Sequence, residues 1–191
     1  MKHLLSILAA TLLATAAGLG FSGFGATLKE ASAAGGHVDT CGGGSIYLDG
    51  YEKRTLDLHN RARAHNGLAR FCVHPALVKA ARSHSREMID KDYFSHDSYD
   101  GESFGARLER FGYHPYLSIA ENIASGRGSG GAPDSIFDGW MESSVHRSDE
   151  EIGVGTAYGR YKGYGGMTLY TVVFGTRFGI APAPERDEAP R

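Results

Sequence analysis

The chain has 191 residues, and its 20 Lys and Arg against 22 Asp and Glu give a formal net charge of -2 at pH 7. This near-neutral balance gives no positive field to attract a nucleic-acid backbone. After the N-terminal region no run is apolar enough to cross a membrane, which excludes a protein with several membrane spans.

Residues 1–33 are typical of a signal peptide. A basic residue and an uncharged run at residues 4–21 precede Ala31 and Ala33, which give the A-x-A pattern that signal peptidase recognises. We therefore predict an exported chain that begins near Ala34 and works outside the cytoplasm, in the medium or the cell envelope. A single membrane anchor is the alternative, because the uncharged run comes close to the length that crosses a bilayer.

Residues 34–50 are predicted to form a flexible lead to the domain, and the chain's two cysteines are Cys41 and Cys72. An even pair in an oxidising compartment favours a disulfide, which we predict here. The bond would close a loop of about 31 residues, for which chain entropy gives roughly 3–4 kcal/mol. The alternatives are a metal pair, for which nearby His ligands are missing, and a lipoprotein acylated at Cys41.

A domain is predicted over residues 51–178, and it begins with helices. Helical spacing of apolar residues indicates four of them, starting at Tyr51, at Pro75, after Ser103 and near Pro133. The residues predicted to face the core are Tyr51, Thr55, Leu58 and Ala62; Leu77, Ala81, His84 and Met88; Phe104, Leu108 and Phe111; and Ile136, Phe137, Trp140 and Met141.

Strand-length apolar runs occur at residues 117–124, 152–156 and 167–174, and the Gly-rich link at 159–166 predicts a hairpin between the last two. Helices followed by strands, with few βαβ units, indicate an α+β fold with an antiparallel sheet. Residues 179–191 are rich in Pro, Ala and charge and are predicted to be a disordered tail.

Two glycine motifs lack the setting that their usual chemistry needs. The G-x-S-x-G at residues 101–105 does not follow a buried strand, so we interpret Ser103 as a helix N-cap and not as a hydrolase nucleophile. The G-x-G-x-x-G at residues 126–131 does not open an early βαβ unit, so we interpret it as a flexible loop and not as a dinucleotide site.

Three polar residues are the candidates for chemistry: His96, Glu121 and His146. Glu121 lies in a mostly apolar run, where an ionised carboxylate needs a partner or a cation. Two imidazoles and a carboxylate can bind a divalent cation such as zinc, or exchange protons as acid and base. The alternative is a metal-free cluster in which Glu121 accepts hydrogen bonds from His96 and backbone N–H groups.

The same residues carry a resemblance to the SCP-like domain of the CAP superfamily (cysteine-rich secretory proteins, antigen 5, pathogenesis-related 1), in its bacterial branch. The matching segments run in the expected order over roughly residues 50–178: LHNRAR at 58–63, residues 77–88, YFSH at 93–96, DG at 100–101, AENIA at 120–124, GW at 139–140, HR at 146–147, EIGVG at 151–155 and YTVVFG at 170–175. The resemblance implies a three-layer α-β-α sandwich with a central, mainly antiparallel sheet and a cleft lined by His and Glu.

In animal relatives that cleft holds two His and two Glu that take a divalent cation, often zinc. His96 and Glu121 match the first of each, whereas the second Glu falls at Ser143 and the second His at or beside Leu169. Bacterial members commonly carry the pair that begins with His146, so the resemblance implies His96, Glu121 and His146 as the cleft and metal residues.

The resemblance also implies a secreted binding or interaction module, with a cell-wall component or a lipid as the candidate ligand. Two alternatives stay open. One is a metal-dependent peptidase or cell-wall hydrolase that uses Glu121 and His96 with metal-activated water, since no nucleophile is apparent. The other is a structural envelope protein with no ligand.

Overall fold

The computed structural model describes residues 34–141 and 149–178. The predicted signal peptide, His146 and the predicted tail lie outside these residues. Within them the elements are β1 (Gly36–Asp39), β2 (Ser45–Leu48), α1 (Gly50–His65), β3 (Cys72–Val73), α2 (Pro75–Asp90), α3 (Phe104–Arg110), β4 (Tyr116–Arg127), α4 (Pro133–Met141), β5 (Glu151–Tyr161) and β6 (Tyr164–Arg177). No helix in these residues is long and apolar enough to cross a membrane.

The main sheet has the strand order β3-β5-β6-β4. Its long strands pair antiparallel, and only the two-residue β3 runs parallel to its neighbour β5. β5 and β6 form the predicted hairpin, but they stay paired as far as Tyr161 and Tyr164. The turn is therefore shorter than the predicted link, with Lys162 and Gly163 both at positive φ as a tight hairpin turn requires.

Helices cover both faces of this sheet. On one face Val172 and Phe174 of β6 pack with Leu56 of α1 and Trp140 of α4. On the other face Val173 packs with residues of α2 and α3. Because successive strand residues point to opposite faces, one strand serves both cores. The predicted α+β fold, a three-layer α-β-α sandwich around a mainly antiparallel sheet, is confirmed.

Two glycines let α2 lie directly against β5. A Cβ built on Gly153 would overlap the backbone at Leu77, and one built on Gly155 would overlap the backbone at Ala81 and Arg82. Side chains at these positions would push the helix away from the sheet. The close contact fixes α2, and with it the loop that follows α2.

The inward faces of the later helices are largely as predicted. All four predicted core residues of α2 are fully buried, including His84. In α3 the hydroxyl of Ser103 accepts the N–H of Ala106, which confirms the predicted N-cap. In α4 the exception is Met141, which is exposed.

The predicted face of α1 is wrong. Its buried residues are Glu52, Thr55, Leu56 and His59, and not the predicted set, of which only Thr55 is buried. The reason is an ion pair with one buried member: Arg82 of α2, whose side chain is partly exposed, donates from Nη2 to Oε2 of the buried Glu52 at 2.6 Å and holds that side of α1 inward. The spacing of apolar residues does not predict this face of α1, because one of its buried residues is a carboxylate.

The predicted flexible lead is also corrected, because residues 34–50 contain the β1–β2 hairpin. The predicted Cys41–Cys72 disulfide is confirmed, with 5.4 Å between the two Cα atoms. The N–H of Cys41 also donates to Val73 O at 2.9 Å, and Leu48 is buried in the core. The disulfide and the Cys41–Val73 hydrogen bond order a segment whose short, Gly-rich sequence does not by itself predict a hairpin.

Candidate functional site

The site lies where the loop after α2 meets the edge strand β4. Glu121 sits on β4 opposite Val173 of β6, so its side chain points to the face covered by α2 and α3, where it is 1% exposed. His96 lies in the loop, and its side chain is 56% exposed. The two sequence candidates in the described residues therefore meet, one buried and one open to solvent.

Glu121 is shared between two side chains. His96 Nδ1 lies 3.0 Å from Glu121 Oε1, and Arg107 of α3 donates from Nη2 to Glu121 Oε2 at 2.6 Å. The Arg107 side chain is as fully buried as that of Glu121. The guanidinium balances the carboxylate charge inside the protein, where an unpaired ion would be very unfavourable.

The same guanidinium holds the backbone of the loop. Arg107 Nη2 donates to the carbonyl of His96, and Nη1 donates to Ser98 Oγ, each at 3.0 Å. One residue earlier, the carbonyl of Ser95 accepts the Nε2–H of His84 at 2.8 Å. The position of His96 is therefore fixed by buried polar groups on two helices.

His84 stays neutral inside this network. Burial lowers its pKa, and the positive charge of Arg107 lowers it further. A neutral imidazole with its proton on Nε2 is the form that donates to Ser95 O. Next to it, burial and a 2.5 Å hydrogen bond to Glu87 raise the pKa of Tyr93, so that hydroxyl also stays protonated.

The outer side of the loop is aromatic. Phe94 is 44% exposed and Tyr99 is 62% exposed, and they stand on either side of His96 in the sequence. When neutral His96 carries its proton on Nδ1, it donates to Glu121 and leaves Nε2 as a free acceptor. The loop thus offers an oriented imidazole and two apolar rings to a partner.

Of the three predicted metal ligands, His96 and Glu121 lie within the described residues. His146, the third predicted ligand, lies outside the described residues, and within those residues no group of three His, Cys, Asp or Glu could hold a metal ion. Arg107 already occupies one oxygen of Glu121, and a cation would have to share that carboxylate with it. The described donor set is incomplete for zinc, so the metal site stays a prediction.

The sequence did not identify Arg107 as a site residue, and it did not show that His84 holds the loop. Position 107 follows Phe104 by three residues and precedes Leu108, which puts it on the inward face of α3. A charged residue at an inward position is the signal that predicts a buried partner such as Glu121. Leu169, at the position of the second His of animal relatives, is a fully buried core residue.

Comparison with known proteins gives a family. The model of the cysteine-rich secretory protein family, CAP, matches residues 56–174. Among curated proteins, the uncharacterized protein YkwD of Bacillus subtilis is 32% identical over 135 residues, covering 68% of this chain and 51% of the relative. The uncharacterized membrane protein YlbC of the same species is 36% identical over 96 residues, covering 50% and 27%. The chain thus spans about half or less of the length of these relatives.

Solved structures share the fold. An extracellular protein containing an SCP domain from Bacillus anthracis aligns with a TM-score of 0.55 at 24% identity, over 71% of this chain and 47% of that one. An outer surface protein from Borrelia burgdorferi aligns with a TM-score of 0.55 at 17% identity, over 75% and 98%. The family model covers more than half of the chain, and it includes both His96 and Glu121. The chain therefore belongs to the cysteine-rich secretory protein (CAP) family and carries a bacterial CAP domain.

Proposed function

We propose that the protein is exported and acts in the medium or the cell envelope as a binding module, which engages its partner through the loop that carries His96. The observation that carries this proposal is the exposed imidazole of His96 held from behind by the buried Glu121–Arg107 pair. A side chain that is already oriented loses little conformational freedom on binding.

The aromatic residues of the loop support a binding role. Exposed Phe94 and Tyr99 lie within three residues of His96, and Tyr99 is supported by an edge contact with Tyr93 at 5.6 Å between ring centroids. Exposed aromatic rings beside a polar anchor are typical of binding hot spots. This arrangement fits recognition better than structural support alone, for which exposed rings have no use.

A hydrolase is less well supported by the contacts of His96. Within the described residues no Ser, Thr or Cys side chain is hydrogen-bonded to its imidazole, so no activated nucleophile accompanies the His–Glu pair. Arg107 also holds the other carboxylate oxygen of Glu121, so that carboxylate is already paired with a cation.

The binding proposal is tested by sedimentation of the full, processed protein with cell-wall sacculi and, separately, with lipid vesicles. We expect the wild type to sediment with one of the two, and His96→Ala and Tyr99→Ala to reduce the bound fraction at least about fivefold. His65→Ala, at an exposed histidine of α1, is the matched control and should bind like the wild type. Equal sedimentation of all four proteins would overturn the role of the loop.

Export is tested on the same material. Sequencing of the N-terminus should give a start near Ala34, with the protein in the medium or the envelope fraction. An intact N-terminus retained in the membrane would instead support the single-anchor alternative.

Zinc binding remains part of the proposal and has its own test. If His96, Glu121 and His146 bind zinc, calorimetric titration of the wild type should give binding that weakens as pH falls through the imidazole range. His96→Ala and Glu121→Gln should lose it, and His65→Ala should keep it. No binding by the wild type, or equal binding by all variants, would identify the metal-free hydrogen-bonded cluster.

A further inference from the structure

A second polar cavity lies away from His96, where α1 begins. It is open to solvent and has a volume of about 370 Å³, within the range of small-molecule sites. Its lining comes from the start of α1, from α2 and from the outer part of the β5–β6 hairpin, and includes Asp49, Tyr51, Arg86, Thr156, Tyr158 and Thr168. None of these residues belongs to the loop of the proposed function.

Thr168 offers a hydroxyl group to the cavity. It lines the cavity, and the residue is 5% exposed. A hydroxyl group can donate one hydrogen bond and accept others, so Thr168 can bond to a hydroxyl group of a bound molecule.

Arg86 indicates a negatively charged ligand. One helical turn earlier Arg82 pairs with Glu52, but Arg86 has no ion-pair partner among the described residues. The adjoining β5–β6 segment, residues 152–178, contains no Asp or Glu. Arg86 is therefore the group of the cavity lining that can pair with an anion, and an arginine binds a carboxylate through two parallel N–H groups.

The negative charge of Asp49, in the same lining, is partly offset within the protein. Its Oδ1 accepts the N–H groups of Tyr51 and Glu52, each at 2.8 Å, and its Oδ2 accepts the hydroxyl of Thr156 at 3.1 Å. The positive end of the α1 dipole further balances the carboxylate. Asp49 keeps spare lone pairs for the hydroxyl groups of a ligand.

Tyr158 adds an apolar surface. It is 69% exposed beside the cavity, so most of its ring is free for contact. A flat aromatic ring packs well on the C–H face of a sugar ring, whose hydroxyl groups point to the sides. A carboxylate alone would make no use of this ring.

We propose that the cavity binds a sugar ring that carries a carboxylate, a uronic acid unit. The carboxylate pairs with Arg86, ring hydroxyl groups bond to Thr168 and Asp49, and the apolar face of the sugar lies on Tyr158. This site goes beyond the proposed function and is independent of His96, so either can fail without the other.

The test is NMR titration of the full, processed protein with glucuronate, glucose and acetate as separate probes. We expect glucuronate to shift the amide signals of Gly50, Thr156, Tyr158 and Thr168, with affinity in the millimolar range that is typical of a single small ligand. Glucose and acetate should each bind at least about tenfold more weakly, since each lacks one half of the recognised chemistry.

Variants locate the binding. Arg86→Met and Tyr158→Ala should each weaken glucuronate binding at least about fivefold, whereas Arg70→Met, at an exposed arginine outside the cavity, should not change it. His96→Ala should also leave it unchanged, which separates this test from that of the loop. Shifts that map elsewhere, equal binding of glucose, or no shift with glucuronate would overturn the proposal.

Discussion

Arg107 contacts the most partners in the His96 site, because one guanidinium reaches Glu121, the His96 carbonyl and Ser98. It balances a buried charge and positions an exposed side chain at the same time. Its Nε lies buried without a hydrogen bond in the described residues, so the bonds from Nη1 and Nη2 hold this side chain. The residue therefore matters for stability as well as for the loop.

Removal of Arg107 alone should destabilise the protein more than removal of both Arg107 and Glu121. Arg107→Met leaves Glu121 buried without its cation, and we expect a loss of about 3–5 kcal/mol in the free energy of unfolding. Arg107→Met with Glu121→Met removes both charges at similar volume and should recover part of this loss. Chemical denaturation of the wild type, both single variants and the double variant measures it. A double variant less stable than Arg107→Met would refute the charge argument.

His84 should make stability depend on pH. Burial lowers its pKa in the folded protein, followed by the charge of Arg107. Below the unfolded value of about 6.5 the unfolded chain takes up a proton that the folded chain refuses, so stability falls as pH drops through that value. The expected slope for His84 stays below about 1.4 kcal/mol per pH unit.

The variant His84→Gln isolates this contribution. Its amide can still donate to Ser95 O but carries no titrating proton. Between pH 7 and pH 5 we expect His84→Gln to lose less stability than the wild type, with His65→Gln unchanged from the wild type. If the free energy of unfolding changes with pH by the same amount in all three proteins, His84 does not cause the pH dependence. Burial also lowers the pKa of His74, which adds a slope of the same sign in all of them.

At the scale of elements, α2 on β5 is the contact that sets the position of the site. The glycines at 153 and 155 bring the helix backbone onto the strand. Ser85 extends the contact: its hydroxyl donates to Gly155 O at 3.0 Å and lies 2.8 Å from Thr171 Oγ1, with which it shares a second hydrogen bond. The loop that follows α2 starts from this fixed helix, brings His96 against Glu121 of β4 and ends at α3. A shift of α2 would therefore move His96 relative to Glu121.

The variant Gly155→Ala should show how tight this contact is. Its methyl group would overlap the backbone at Ala81 and Arg82, which cannot rotate away, so we expect a loss of about 2–3 kcal/mol. Gly159→Ala is the matched control in the same strand, because its methyl would meet only the side chain of Ile89, at 3.2 Å. Thermal unfolding should give a lower melting temperature for Gly155→Ala than for Gly159→Ala. Equal melting temperatures would mean that α2 can move off the sheet at little cost.

The sequence predicted most elements and half of the site. Regular apolar spacing predicted the buried face of α2, and alternation predicted β5 and β6, because both depend only on local pattern. The face of α1 and the role of Arg107 depend on ion pairs between residues 30 and 14 positions apart, which no local pattern contains. Glu121 is conspicuous as a carboxylate in an apolar run, and His96 is identified by its neighbours and by the family resemblance. The local pattern places Arg107 on the inward face of α3 but does not identify Glu121 as its partner.

For the whole molecule, the disulfide is the covalent link between the N-terminal hairpin and the domain. Cys41–Cys72 joins β1–β2 to β3, which itself pairs with β5 over only two residues. The hairpin adds Leu48 to the main core. Val38 and Ile46 pack beside Leu48, and two hydrogen bonds, from Cys41 N–H to Val73 O and from Arg82 to Tyr47 O, add to the disulfide.

The double variant Cys41→Ser with Cys72→Ser should be less stable by roughly 3–4 kcal/mol, the value for a loop of 31 residues. For a domain of this size that corresponds to a fall in melting temperature of about 10 °C. Hydrogen exchange should then be faster in β1 and β2 and little changed in β6. A melting temperature equal to that of the oxidised wild type would show that the hairpin is held by its packing alone.

The position of the disulfide also has a consequence for the order of assembly. If the chain is exported as we propose, it emerges with its N-terminus first, and both thiols reach the oxidising side before β5, which starts at Glu151. Oxidation therefore does not need to wait for the sheet to close. The covalent loop can form on a chain that still lacks the central hairpin, and it keeps the first hairpin next to β3 until β5 arrives to pair with it.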